Sequence, residues 1–477
     1  MLLRKMMILM TGAMILTACD KQTLNSASTD TTQAWLTQNA IQIKTPVAGN
    51  GLDDLEALGD LIGDARVVGL GEATHGTREF FQFKHRIFEY LVEEKGFRAF
   101  GFEADFASTY GLSQYVATGE GDPEELIHDM MFWTWDTEEV LDLVRWMRKY
   151  NETHDEQLTF FGYDIQNALR GIEYALEYMA AHDDPKKAYF EEAFSELIDA
   201  SDTYENYAKY MLSAEMPKKL ELRAATEELI LHMEYKRASY MNKTGFEAYD
   251  IAHRHAMSAK QLFWAYTILN DGPGSQLPLS FDIRDASMAD NVLWMLEKMG
   301  SGGKMALWAH NAHVSKAMLA NIYSTMGGNL KQILGDDYIS MGFSFYQGKF
   351  QARGQLENLT DVDALPPLME YNVGPAWPGS IGEMMESANV GDFLVDMRVA
   401  PEESEAGQWF RSGHPKREAG AAYMKEPETE KELMQMLEQA PKTVPLDNFD
   451  FMIFFRDTTR ARPLQRTLDR FNMTKNW

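Results

Sequence analysis

Six side chains have the types and spacing for proton-transfer chemistry. Glu72 and His75 stand three residues apart, Glu103 and Asp164 are single acids, and His310 and His313 again lie three apart. A histidine near its ordinary pKa takes a proton from water at neutral pH. A neighbouring carboxylate fixes its tautomer and supports the imidazolium that forms. A second histidine or a cationic side chain stabilises a developing oxyanion. Other apparatus is missing. There is no Gly-x-Ser-x-Gly elbow, no His-Glu-x-x-His and no phosphate-cradling Gly-x-x-x-x-Gly-Lys, and the single cysteine is Cys19.

Each of these residues also has a plainer reading. Glu72 suits the N-terminus of a helix on dipole grounds alone. Glu103 is free to pair with Lys84 or Arg78. Arg284 and Asp285 have the composition of a helix start, where they would cap and pair. His310 and His313, with carboxylates nearby, have the donor types of a zinc or manganese site.

The elements that carry these residues decide between the readings. Arg66–Leu70 is a short apolar run closed by Gly71, as expected of a buried strand. From Thr77 to Lys95 the apolar residues Phe80, Phe81, Phe83, Ile87, Phe88, Leu91 and Val92 recur at helical spacing, and Gly96 stands where a helix-ending glycine belongs. Phe97–Phe102 reads as the next strand, ending at Glu103. Strand, loop, helix and strand in that order predict parallel pairing with right-handed crossovers. Further strands are predicted at Leu158–Gly162, leading to Asp164, and at Lys304–Trp308, leading to His310. Others fall at Tyr338–Phe345, Asp392–Met397 and Phe449–Phe455. Residues 168–270 carry helical periodicity throughout and predict a helical insertion. Gln355–Ser387 and Glu402–Lys431 read as surface excursions. The fold class expected is α/β, with a central, mostly parallel sheet flanked by helices and a large helical insertion. Every candidate follows the carboxyl end of a predicted strand, which is where open parallel sheets bind ligands. The expectation is that they line one cleft.

The chain has 477 residues, 45% of them hydrophobic, which excludes wholesale disorder. With 45 Lys+Arg against 72 Asp+Glu the net charge is -27, which argues against nucleic acid as a partner. At the N-terminus, Arg4 and Lys5 precede an apolar stretch from Met6 to Leu16, followed by Leu16-Thr17-Ala18-Cys19. This pattern resembles a bacterial lipoprotein signal: residues 1–18 would be removed and Cys19 would carry the lipid. Residues 19–45 read as a flexible tether with some helix near Trp35, and 46–470 as the catalytic domain. The expected location is the cell envelope, lipid-anchored and periplasmic, with Asp20 suggesting the inner membrane.

Gly71-Glu72-Ala73-Thr74-His75-Gly76, Phe102-Glu103-Ala104-Asp105 and Trp308-Ala309-His310-Asn311-Ala312-His313 resemble the three core motifs of the erythromycin esterase family. Phe161-Gly162-Tyr163-Asp164 and the stretch Arg284–Asn291 resemble it too. The resemblance implies a hydrolase without metal or other cofactor, in which His75 activates water. It implies that Glu72 and Glu103 orient base and water, and that His310 is the second essential histidine with His313 beside it. Lys84 stands where family members active on macrolides carry an arginine. His310 and Lys84 are the candidates to hold an oxyanion or substrate. His313, Asp164, Gln166 and Arg284 are further substrate-contact candidates. The helical insertion would wall the cleft, its Tyr207, Tyr210, Tyr235 and Tyr240 touching a large apolar substrate. The expected reaction is cleavage of a small-molecule ester or lactone. The rivals are a metal-dependent hydrolase or peptidase on the same His/Glu cluster, and a non-catalytic envelope protein that binds a ligand.

Overall fold

In the computed structural model, which describes residues 26–201, 203–268, 281–317, 324–354, 366–423 and 426–475, ten strands form one sheet. In chain order they are β1 (Ile41–Gln42), β2 (Val67–Leu70), β3 (Ala99–Asp105), β4 (Thr159–Asp164), β5 (Met305–Trp308), β6 (Tyr338–Gly354), β7 (Leu368–Val373), β8 (Phe393–Asp396), β9 (Ala422–Tyr423) and β10 (Phe451–Thr458). The spatial order is β1-β8-β10-β6-β2-β5-β3-β4, with β7 and β9 also paired to β6. From β10 to β4 every pairing is parallel. β1, β7 and β8 pair antiparallel.

Residues of β2, β3 and β5 are buried on both sheet faces, so they read as continuous apolar runs rather than alternating ones. The period-two alternation still sorts them. Val68, Leu70, Phe100, Phe102, Ala306 and Trp308 join one core, while Val67, Ala99, Met305 and Leu307 join the core on the opposite face. Helix α2 (Arg78–Lys95) follows β2; a separate helix, α1, spans Ser26–Asn39. The phenylalanines of α2 are buried, and Gly96 ends it in the left-handed conformation at φ 73°. Its N–H bonds the Leu91 carbonyl, a closure open to glycine at little steric cost. Helix α3 (Glu138–Thr153) precedes β4.

The insertion is helical as expected: α4 (Leu169–Ala181), α5 (Lys187–Asp199), α6 (Tyr204–Ser213) and α7 (Met216–Thr267), the last interrupted at Gly245. It has its own core, including Leu176, Phe190, Phe194, Leu229 and Leu262. Helix α8 (Phe281–Lys298) then leads to β5.

Two expectations are corrected. Packing begins well before Pro46: Leu36 on α1 is fully buried, and Ile41 and Gln42 pair with Leu394 and Phe393 of β8. The polar composition of this segment hides a few apolar residues that dock it. Cys19 and Asp20 lie outside the described residues. Residues 355–365 and 424–425 lie outside the described residues, but the described parts of the two supposed surface excursions are built into the fold. The first contains β7 and a helix with Ile381 and Met385 buried, and the second contains β9 and the buried Phe410. Their Gly and Pro residues mark turns between short packed elements rather than one long loop.

Candidate functional site

Register brings the site together. Leu70 of β2 and Phe102 of β3 are both opposite Trp308 of β5. Glu72, Glu103 and His310 therefore leave three adjacent strands at nearly the same level, about 5 Å from strand to strand. The β2 loop packs tightly there. A Cβ at Gly71 would lie 2.3 Å from Asn311 Oδ1, and one at Gly76 would lie 2.0 Å from the Gln351 carbonyl oxygen. Only glycine permits that approach.

Glu72 is fully buried and takes three donors. His75 Nδ1 donates to Oε1 at 2.6 Å. Lys84 Nζ at 2.5 Å and Trp308 Nε1 at 2.7 Å donate to Oε2. Burial opposes the charge on Glu72, but Lys84 and His75 outweigh it and lower the carboxyl pKa. The Nδ1 bond leaves Nε2 as the reactive nitrogen of His75. The His75 ring meets Trp135 edge-on at 6.0 Å and His310 at 5.2 Å between centroids.

His310 caps the short helix α9 (Asn311–Val314), its Nδ1 accepting from Ala312 N–H at 3.2 Å. Neutral His310 therefore carries its proton on Nε2, which is buried without a protein partner among the described residues. Burial lowers its pKa to about 4, so the ring is neutral at physiological pH.

Glu103 holds protein rather than open space. Its Oε2 accepts the His310 backbone N–H at 2.8 Å, and its Oε1 meets Arg284 Nη2 at 2.9 Å and His313 Nε2 at 3.2 Å. Burial opposes ionisation, yet His313 and Arg284 hold Glu103 well below the usual carboxylate range. Arg284 also grips Asp164 through two bonds of 2.9 and 2.7 Å. His313 donates from Nδ1 to Asp285 at 2.9 Å. Burial works against its charge, but Asp285 and Glu103 raise its pKa to about 10.

That shift sets a pH dependence of stability. A raised histidine pKa stabilises the fold fully below about 6.5, and the contribution is lost as pH climbs towards 10. Unfolding free energy of the parent, measured relative to His313→Gln, is expected to decline across that window. An unchanged difference between the two proteins from pH 6 to 10 would refute this placement of the proton.

A cavity of about 490 Å³ opens above these residues. His75, Glu103, Gln166, Arg284, His310 and His313 form its polar floor; Met131 to Trp135, Phe281, Arg353, Pro366 and Gly420 to Ala422 form its walls. Among the sequence candidates, His75, Glu103, His310, His313, Arg284 and Gln166 thus share one cavity. Lys84 and Asp164 do not reach it. Both are fully buried behind it, Lys84 over the Trp308 ring at 4.4 Å and Asp164 against Arg284. Their contacts are with other side chains, Lys84 with Glu72 and Asp164 with Arg284. Burial brings Lys84 down to about 8, against the opposing pull of Glu72.

No described residue of the helical insertion lines the cavity apart from Gln166 just ahead of it, contrary to expectation. Tyr207 and Tyr240 are buried in the insertion's own core, and Tyr235 is exposed. The wall comes instead from the loop before α3 and from the second supposed excursion. In that excursion Ala419 exchanges backbone hydrogen bonds with Ala73 and His75. Glu418 accepts from Asn311 Nδ2 at 2.9 Å and pairs with Lys416 at 2.6 Å. The sequence offered no signal for Glu418. The aromatic run Phe132-Trp133-Thr134-Trp135 was legible as composition but has no element that points to the cleft.

The fold and site define an α/β protein whose strand ends gather a His–Glu pair, a second histidine and an arginine-centred carboxylate cluster. The erythromycin esterase profile matches residues 92–458, and the chain belongs to that family. It is similar to erythromycin esterase type II of Escherichia coli, with 28% identity over 397 residues, covering 78% of this chain and 90% of the relative. Among solved structures it is similar to a Bacillus cereus protein at 26% identity and a TM-score of 0.76, covering 92% of this chain and 99% of the other. An erythromycin esterase mutant, EreC in its open conformation, shares the fold at 17% identity and a TM-score of 0.64, covering 86% and 95% of the two chains.

Proposed function

We propose that this enzyme of the erythromycin esterase family hydrolyses a small-molecule ester or lactone with His75 as general base. The carrying observation is the 2.6 Å bond from His75, which lines a cavity that His310 also lines, to the buried carboxylate of Glu72 behind it. His75 Nε2 takes a proton from water as the oxygen attacks the carbonyl carbon. Glu72 steadies the resulting imidazolium. The tetrahedral oxyanion accepts a hydrogen bond from His310 Nε2–H. When the carbon–oxygen bond breaks, His75 returns its proton to the departing alkoxide. Glu103 serves by fixing the His310 backbone, and Arg284 and His313 hold Glu103 in turn.

The donor set speaks against the metal-dependent rival. His75 Nδ1, both His313 nitrogens and both Glu103 oxygens already have protein partners, and Arg284 and charged His313 place two cations at the centre. Among the described residues no group of three or more His, Cys, Asp or Glu side chains is arranged to hold an ion.

We also propose that Cys19 carries a lipid that tethers the enzyme to the cell envelope; among the described residues no helix is long and apolar enough to cross a membrane. One experiment tests both readings. A form that begins at Asp20, without the apolar leader and Cys19, is expected in the soluble fraction and the parent in the membrane fraction. The soluble form is then assayed against p-nitrophenyl esters, macrolactones and amides with and without EDTA. Turnover of esters that survives chelation is expected; loss with EDTA and recovery with zinc would overturn the metal-free mechanism.

A further inference from the structure

One wall of the cavity is a single stretch of chain, and its chemistry is apolar. Met131 to Trp135 contribute five consecutive lining residues between the helix Pro123–His128 and α3. The stretch is held in one shape. Met131 has φ 66°, the left-handed region that a side-chain-bearing residue enters at a cost of about 1 kcal/mol or more. Its N–H bonds the His128 carbonyl, and Met130 beneath it is fully buried. At the far end Asp136 accepts from Thr467 Oγ1 and lies 3.1 Å from His128 Nδ1, while its carbonyl accepts the Leu464 N–H. Trp135 is wedged between the Phe102, Trp308 and His75 rings, which ties the stretch to the catalytic floor. Trp133, only 6% exposed, is left facing the cavity. The stretch itself offers no charged side chain to a ligand.

We infer that residues 131–135 are the specificity wall of the enzyme, and that they select esters whose body is a long or ring-bearing apolar group, with Trp133 as the determining residue. The inference rests on the ester-hydrolase reading and adds which part of the substrate is recognised and by what. Non-polar surface buried against an indole stabilises the bound state, so each additional methylene placed there tightens binding by up to about fourfold. A short acyl group leaves the wall wet and gains none of this.

The test compares p-nitrophenyl octanoate with p-nitrophenyl acetate for the parent and for Trp133→Ala. The parent is expected to favour the octanoate in kcat/KM by more than about tenfold, mainly through KM. Trp133→Ala is expected to lose most of that ratio, and Trp133→Phe to restore much of it. Equal ratios in parent and Trp133→Ala, or a parent that favours acetate, would overturn the inference while leaving the hydrolase reading intact. If neither ester turns over above the His75→Ala background, the hydrolase reading fails instead. Calorimetric binding of N-octylacetamide and N-ethylacetamide then decides the wall alone. Tighter binding of the octyl compound that Trp133→Ala abolishes supports it, and indifference to chain length refutes it.

Discussion

His75→Ala lowers kcat for ester hydrolysis by about 10³- to 10⁴-fold while the thermal midpoint stays close to that of the parent. General-base catalysis contributes about 10²–10⁴ on its own. Removing this base also removes the group that returns the proton to the leaving alkoxide, which puts the loss at the upper end. The fold is expected to survive because Glu72 keeps two of its three donors, Lys84 and Trp308. The Ala73 and His75 backbone stays bonded to Ala419 regardless of the side chain. The measurement is steady-state kinetics beside a melting curve. A variant that retains about a tenth of parental kcat with an unchanged melt would remove His75 from the chemistry.

Arg284→Met is expected to cost stability more than any other single change at the site, about 3–5 kcal/mol. The guanidinium bonds Glu103 and both oxygens of Asp164, and all three groups are buried. Removing one partner of a buried ion network leaves the others charged and unpaired, and that desolvation cost dominates. Arg284→Lys is expected to recover little, because an ammonium cannot reproduce the planar fork that spans two carboxylates. The effect reaches the chemistry as well: Glu103 released from Arg284 no longer fixes the His310 backbone in place. Urea unfolding of the parent and both variants measures the cost. An Arg284→Met protein within about 1 kcal/mol of the parent would show that the cluster is not ionised as described.

Much of this molecule is written locally. Val67–Leu70 and Met305–Trp308 are apolar runs bounded by glycine or polar loops, and α2 repeats phenylalanine at helical spacing before a glycine stop. Those patterns depend only on near neighbours in the chain, so strands, helices and the loops bearing Glu72, His75, Glu103 and His310 were readable directly. The carboxyl-end rule for parallel sheets then brought them towards a common edge. Lys84 shows where local reading stopped. Its spacing on α2 matched a substrate-binding position, but only packing reveals that its ammonium turns inward to Glu72 beneath the Trp308 ring.

The sequence alone determined which residue types were present for hydrolysis and which strand each would follow. The tertiary structure decided that β5 lies between β2 and β3, so that His310 sits between the Glu72–His75 loop and Glu103. It also decided that Met131–Trp135 and Gly420–Ala422 close the cavity, and that Arg284 joins Glu103 to Asp164. Strand order and cavity walls are contacts between segments tens to hundreds of residues apart. They are fixed by the joint packing of both sheet faces, a sum over the whole chain that no short stretch of residues encodes.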